Sequence, residues 1–402
     1  TPLVICMDAD AGKVAINFVR SIRDDVTVII NEHPGKMRKM RMFDRDLTLI
    51  KDLDTIAKET KPDSRPVMVA CSSKTFAEKL GKRYAEKISK RGGKMLVITR
   101  STKNAPDVRE FLSNPDTHIS KYRLVIYSPT MGSGVDISTP IEAAYGFFNR
   151  QPITAWDSMQ MLLRARHADI YKVWASPVDQ KMVANPDTLY SQYLNREQFT
   201  KDVVIFDDAG RDIVTIQRLK MLRLRYATEA RANQSKRNIR DHFTELAKGR
   251  FEIVGNAGSI GQNDAQAIRK ELKHAGDEIK QERKAALKSA TPVSEREYRQ
   301  KAVTGQMTPT IEAGHERQQI EDTYAQEIDD NAIDDWQEGK GKSKLRLFES
   351  LFKSRDQAQL YDYKQLDAGV PIGDLTHATG KRDLLLQALK IFTDDNRVLS
   401  SE

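Results

Sequence analysis

The amino-acid sequence predicts an α/β fold: a parallel sheet with helices on both faces, followed by a mostly α-helical domain. Short apolar runs recur at residues 67–70 (VMVA), 94–99 (KMLVIT), 124–127 (LVIY) and 171–175 (YKVWA). Unbroken apolar character, rather than strict alternation, marks strands buried on both faces. Stretches with helical spacing of apolar residues separate these runs, the order that builds a parallel sheet. After Phe206-Asp207-Asp208-Ala209-Gly210 the strand signals nearly vanish, and charged helical sequence runs almost to the end.

In chain order, residues 3–7 read as a buried strand ending at Asp8-Ala9-Asp10-Ala11-Gly12-Lys13, with a short helix over 14–20. Gly12-Lys13 is not a phosphate loop, because that pattern needs an earlier glycine and a following hydroxyl, whereas Val14 follows here. Residues 26–31 (VTVIIN) read as an edge or crossover strand, and the basic run 36–41 as a solvated turn or a nucleic-acid-facing hairpin. Leu47, Leu49, Ile50, Leu53 and Ile56 suit a helix over 47–59. Strand 67–70 ends at Cys71-Ser72-Ser73-Lys74, and a helix over 75–90 follows it. Strand 94–99 ends at Thr99-Arg100-Ser101, before a helix around 106–112. Both strand ends should lie at the carboxyl edge of the sheet, where open α/β sheets bind ligands.

Strand 124–127 is broken by Ser128-Pro129-Thr130 and Gly132-Ser133-Gly134, a loop whose backbone amides are bare enough to meet an anion. Thr154-Ala155-Trp156-Asp157 has the T-x-x-D form of a capping box. The helix it starts carries Gln160, Arg164 and His167 on one face, with Arg166 nearly opposite unless the helix has ended by then. Residues 251–261, with Gly255, Gly258 and Gly261, read as a connector, and 270–289 as a long exposed helix.

The segment LVIYSPTMGSGVDI at 124–137, followed by Gln160-Met161-Leu162-Leu163-Arg164-Ala165-Arg166, resembles motifs V and VI of superfamily 2 helicases, and among them the viral origin-binding and plasmid or phage replication helicases. Leu163 stands where many relatives carry glycine, and His167 where a second finger arginine is common, which leaves Arg164, Arg166 or both as the γ-phosphate contact. The resemblance covers roughly residues 1–205. It implies a RecA-like fold, with the end of a first lobe and a linker over 1–25, a second lobe over 26–215 and a helical accessory domain over 216–402. The Asp8-Ala9-Asp10 triplet would then be motif III, where the residues alone equally allow a strand–turn–helix with an aspartate N-cap.

By the same resemblance Gln160, Arg164 and Arg166 act on the nucleotide, with Gly134 and Asp136 beside them, and Ser72, Ser73, Lys74, Thr99, Arg100 and Thr130 hold a nucleic-acid strand. Hydroxyls and bare amides hold phosphates without reading sequence, and in each case a helix N-cap is the competing role. ATP and Mg2+ would be bound mainly by an N-terminal RecA-like lobe carrying the phosphate loop. Neither that loop nor a D-E-x-[DH] motif occurs here, so ATP hydrolysis by this chain alone is not expected.

Charge supports a polyanionic partner. The 402 residues carry a formal net charge of +8. Between Arg218 and Arg250 ten basic residues, Arg223, Arg237 and Arg240 among them, face only three acidic ones, which makes that stretch a candidate DNA-gripping surface or a solvated helical face. The two cysteines, Cys6 and Cys71, sit in apolar runs away from any zinc-ligand spacing and read as buried thiols of an intracellular protein. No run approaches the roughly 18 apolar residues of a membrane span, so no membrane partner is expected. The chain begins without methionine inside an apolar strand, which points to a longer parent. Two competing functions remain: a non-catalytic nucleic-acid-binding or assembly module with a degenerate helicase lobe, and a small-molecule enzyme using the strand-end loops as a phosphate site.

Overall fold

The computed structural model describes residues 13–23, 25–29, 37–61, 63–132, 134–149, 153–192, 216–257, 259–339, 345, 349, 351–367 and 378–392. The readings at residues 3–7, at Asp8-Ala9-Asp10-Ala11-Gly12 and at 206–210 lie outside these.

Seven strands form one sheet: β1 (Arg38–Phe43), β2 (Val67–Cys71), β3 (Met95–Ile98), β4 (Leu124–Tyr127), β5 (Ile141–Phe148), β6 (Ala168–Ala175) and β7 (Phe251–Ala257). Their spatial order is β3-β4-β2-β5-β6-β1-β7, and every pairing is parallel. With parallel strands neither face can be left to solvent, and the side chains divide accordingly. Val67, Val69 and Cys71 of β2 share one core with helices Asp46–Lys58, Lys74–Ser89 and Gln262–Ser289. Met68 and Ala70 share the other with helices Pro106–Ser113, Ala155–Leu162 and Ile239–Ala247. This is the RecA-like α/β arrangement, with the helical region following in sequence.

Three strands were not legible as such. β1 falls in the basic run read as a turn or hairpin, where Met40 and Phe43 are buried and the charged residues between them are not. β5 (IEAAYGFF) carries Ala143, Ala144 and Gly146, weak strand formers. Its glycine is required by packing, since a Cβ at Gly146 would lie 2.5 Å from the Phe148 ring. β7, expected to be a connector, pairs with β1 from Arg38↔Phe251 to Phe43↔Ala257. In the other direction, residues 26–29 of the expected strand 26–31 form no regular structure and pair with no strand among the described residues, and Ile29 is 90% exposed: local β propensity alone does not make a strand.

The chain divides into two compact units, residues 1–184 with 227–318, and 185–226 with 319–402. β7 and helices Ile239–Ala247 and Gln262–Ser289 thus belong to the sheet unit. Phe243, fully buried, packs its ring 5.3 Å from Phe148 of β5. In the second unit the Asp362 carboxylate accepts hydrogen bonds from the amides of Ala378 (2.7 Å) and Thr379 (3.0 Å), fixing the start of helix Ala378–Phe392. Tyr324 donates its hydroxyl hydrogen to Asp335 (2.8 Å), tying helix Pro309–Tyr324 to helix Asp330–Glu338. Among the described residues no helix is long and apolar enough to cross a membrane.

Because Phe243 fills the core beneath β5, Phe243→Ala is expected to lower stability by about 3–5 kcal/mol in urea unfolding of the chain. A loss under about 1 kcal/mol would mean that residues 227–318 are an appendage to the sheet rather than part of its core.

Candidate nucleotide and nucleic-acid site

The candidate residues gather at two opposite edges of the sheet. At the carboxyl edge, Ser72-Ser73-Lys74, Thr99-Arg100 and Thr130 follow β2, β3 and β4, three adjacent strands. The chain leaves β2 for one face and β5 for the other, and these strands are neighbours. That is a topological switch point, the place where open α/β sheets bind ligands. Ser72 is buried there and its Oγ accepts the Asn149 amide hydrogen (2.8 Å), joining the ends of β2 and β5. Ser73 is the N-cap of helix Lys74–Ser89, accepting from the Phe76 amide (3.3 Å), and Lys74 lies 3.8 Å from Glu78. Thr99 is fully buried and its hydroxyl donates to Glu78 (3.0 Å). Arg100 is exposed, and Thr130, half-buried, donates its amide hydrogen to Ser128 Oγ (3.4 Å).

At the amino edge the arrangement is denser. The capping box at Thr154 is formed in both directions, the Asp157 amide on Thr154 Oγ1 (3.2 Å) and the Thr154 amide on Asp157 (2.9 Å). The helix it starts, Ala155–Leu162, ends before the arginines, so Gln160, Arg164 and His167 do not share a helical face. Gln160 is exposed on the last helical turn. A parallel bridge between Ile137 and Ala165 takes the chain off the helical path, with the Ile137 amide donating to Arg164 O (2.9 Å) and the Arg166 amide to Ile137 O (3.0 Å).

That bridge sets both arginines against the 124–137 motif. Arg164 donates from Nη1 to the Val135 carbonyl (3.2 Å), and its Nε is buried without a hydrogen-bond partner among the described residues. Burial pulls its guanidinium below the ordinary arginine pKa. Arg166 makes a two-pronged pair with Asp136, Nε to Oδ1 at 2.6 Å with Nη2 beside Oδ2. Gly134 sits at φ +92°, and a Cβ there would meet nothing within 4 Å. The glycine therefore serves backbone conformation rather than close packing, leaving its peptide open to solvent.

One side chain at this edge has no motif to announce it. Asp116 accepts hydrogen bonds from the amides of Ser138 (2.9 Å) and Thr139 (2.6 Å) and from the Thr139 hydroxyl (2.8 Å), anchoring the far end of the 128–140 segment. These bonds, the Thr139 hydroxyl first, hold its carboxyl below the usual aspartate range. The Asn114-Pro115-Asp116 turn was the only signal in the sequence, and turn chemistry does not reveal a partner 22 residues on.

The basic stretch is split. Arg240 donates from Nε to the carbonyl of Ala175 (2.8 Å) and from Nη2 to those of Phe43 (3.3 Å) and Asp44 (2.9 Å). It thereby satisfies backbone acceptors at the ends of β6 and β1. Arg237 is exposed in the sheet unit, whereas Arg223 lies over the Tyr190 ring (5.6 Å) in the second unit. Arg231, by contrast, stacks on Trp156 (4.3 Å), packing the stretch on the capping-box helix.

No family model matches the chain. Two curated viral proteins are similar to it, both named "Putative helicase/primase complex protein", from the African swine fever virus isolates Tick/Malawi/Lil 20-1/1983 and Pig/Kenya/KEN-50/1950. Each is 27% identical over 180 residues, covering 42% of this chain and 15% and 16% of the viral proteins respectively. The chain thus spans about a sixth of the length of the curated relatives it matches.

Since the Asp116 pKa is depressed in the folded state, its contribution is present above the unfolded value and lost as pH falls through the folded one. The stability gap between wild type and Asp116→Asn is therefore expected to be full above about pH 5 and to close progressively below about pH 4. Urea unfolding across that range checks it. A gap independent of pH would remove the carboxylate charge from the anchor.

Proposed function

We propose that this chain is the second RecA-like lobe, with its helical region, of an ATP-dependent DNA helicase in a replication protein. The observation that carries the reading is the pairing of Arg164 and Arg166 with the Val135–Asp136 backbone and carboxylate at one edge. The same segment begins at the opposite edge, among the strand-end hydroxyls. Similarity to the two viral proteins supports the replication role.

In this reading the nucleotide sits against the amino-edge cluster, with Gln160 and the open backbone at Gly134 beside it and Arg164 directed at the γ-phosphate. The orphaned, buried Nε of Arg164 fits an anion-accepting role, because an anionic oxygen supplies the missing acceptor. Arg166 is held by Asp136 and exposed to a second lobe, so it offers its remaining donors without losing its position. ATP and Mg2+ supply the cleavable phosphoanhydride and the neutralising cation, held mainly by an N-terminal RecA-like lobe with the phosphate loop. The chain's own work is to stabilise charge on the departing phosphate, worth on the order of 10³–10⁵ in rate for such arginines. At the carboxyl edge Ser73, Lys74, Arg100 and Thr130 hold a strand by its phosphates, with Ser72 and Thr99 buried behind them as supports.

Arg164→Ala in the complete protein is expected to cut DNA-stimulated ATP turnover by at least about 10³, while single-stranded DNA affinity stays within about twofold by fluorescence anisotropy. Turnover near the wild-type value would move the finger role to Arg166. Loss of turnover from neither arginine variant would remove the nucleotide from this edge.

A further inference from the structure

Helix Gln262–Ser289 separates its charges by side. At 3.6 residues per turn, its buried Ala265, Ile268, Ala275, Gly276 and Leu287 mark an apolar face. Asp264, Glu271, Glu278 and Glu282 fall on one flank of that face, and three of them pair with the neighbouring helices. Asp264 meets Lys51 (2.6 Å), Glu271 meets Arg83 and Lys87 (2.8 Å each), and Glu282 meets Lys82. Lys270, Lys273 and Lys280 fall on the other flank with Lys284 and Lys288, within an arc of about 80°, interrupted only by Asp277. Lys270, Lys273 and Lys280 are exposed and form no ion pair among the described residues.

Three carboxylates of the acidic flank are thus used in docking the helix, while Lys270, Lys273 and Lys280 face solvent. We propose that this flank is a binding track for the phosphate backbone of duplex nucleic acid. The track is mainly cationic and carries no aromatic rings: residues 262–289 contain no Phe, Tyr or Trp, so it lacks the stacking surfaces that hold unpaired bases and suits a duplex, whose bases are hidden. It is also joined to the carboxyl edge. Arg317 donates to the carbonyls of Lys288 (2.8 Å) and Ala290 (3.0 Å), and Glu312 on the same helix accepts from Asn104 (2.8 Å) in the loop after Thr99-Arg100. The proposal rests on the helicase reading, adding a duplex-holding arm to a strand-holding edge.

The test replaces Lys270, Lys273 and Lys280 together by Gln, which keeps helix propensity. A second triple replaces Lys90, Lys121 and Lys248 by Gln and changes net charge equally. Affinities of the full chain for a duplex and for a single strand of one sequence are measured from 50 to 200 mM salt. The arm triple is expected to weaken duplex binding at least tenfold and to flatten its salt slope by about 0.9 per lysine that contacts a phosphate, while single-strand affinity stays within twofold. The second triple should change neither. Unchanged duplex affinity in the arm triple, or an equal loss in both triples, overturns the track. Arg100→Ala separates the two readings: a loss of single-strand binding there, with the duplex unaffected by the arm triple, rejects the arm and keeps the lobe. Single-strand binding that Arg100→Ala does not alter counts against the lobe, whatever the arm does.

Discussion

Successive parallel strands oblige the chain to travel back across the sheet, because each must start at the edge where the previous one began. Between β2 and β3 a helix makes that return, and between β5 and β6 another does. Between β4 and β5 it is made by residues 128–140, where the described residues hold a short 3-10 turn at Pro129–Met131 and no α-helix. Met131 and Ile137 bury this segment in the core on one face of the sheet, and Asp116 and the Ile137–Ala165 bridge fix its far end. The connection between β4 and β5 therefore reaches both edges, Thr130 at one and Ile137 at the other. The closeness of Thr130 to one candidate site and of Asp136 to the other follows from this single connection.

The consequence is mechanical. Interiors packed like crystals pass displacement along rather than absorb it, and Met131 and Ile137 of this connection lie in the core. In the proposed function the route between the edges runs from the Arg166–Asp136 pair at the amino edge through the Ile137 bridge to Ser128, which accepts the Thr130 amide hydrogen. Arg164 adds to this, since the carbonyl it holds belongs to Val135 in the same segment. In the proposed function this is how nucleotide state reaches the strand-holding edge.

The sheet was legible where strands were apolar on both faces, as in VMVA and LVIY, and where a cap had its own chemistry, as at Thr154-Asp157. It was illegible where pairing alone makes the strand. β1 mixes arginine and lysine with methionine, β5 is interrupted by two alanines and a glycine, and β7 is glycine-containing; each is held by neighbours far away in sequence. The same limit applied to the site. The motif residues stood out by type and spacing, but the end of the helix at Leu162, the Arg166–Asp136 pair 30 residues apart and the Asp116 anchor depend on the bridge at Ile137, which no local pattern encodes.

The most direct test of the linkage is hydrogen–deuterium exchange of the chain with and without single-stranded DNA. Strand binding at the carboxyl edge is expected to slow exchange at residues 128–132 and also at the amides of Ile137 and Arg166, which hold the bridge at the opposite edge. Protection that stops at residue 132, with Ile137 and Arg166 exchanging as in the free chain, would contradict the view that residues 128–140 join the two sites.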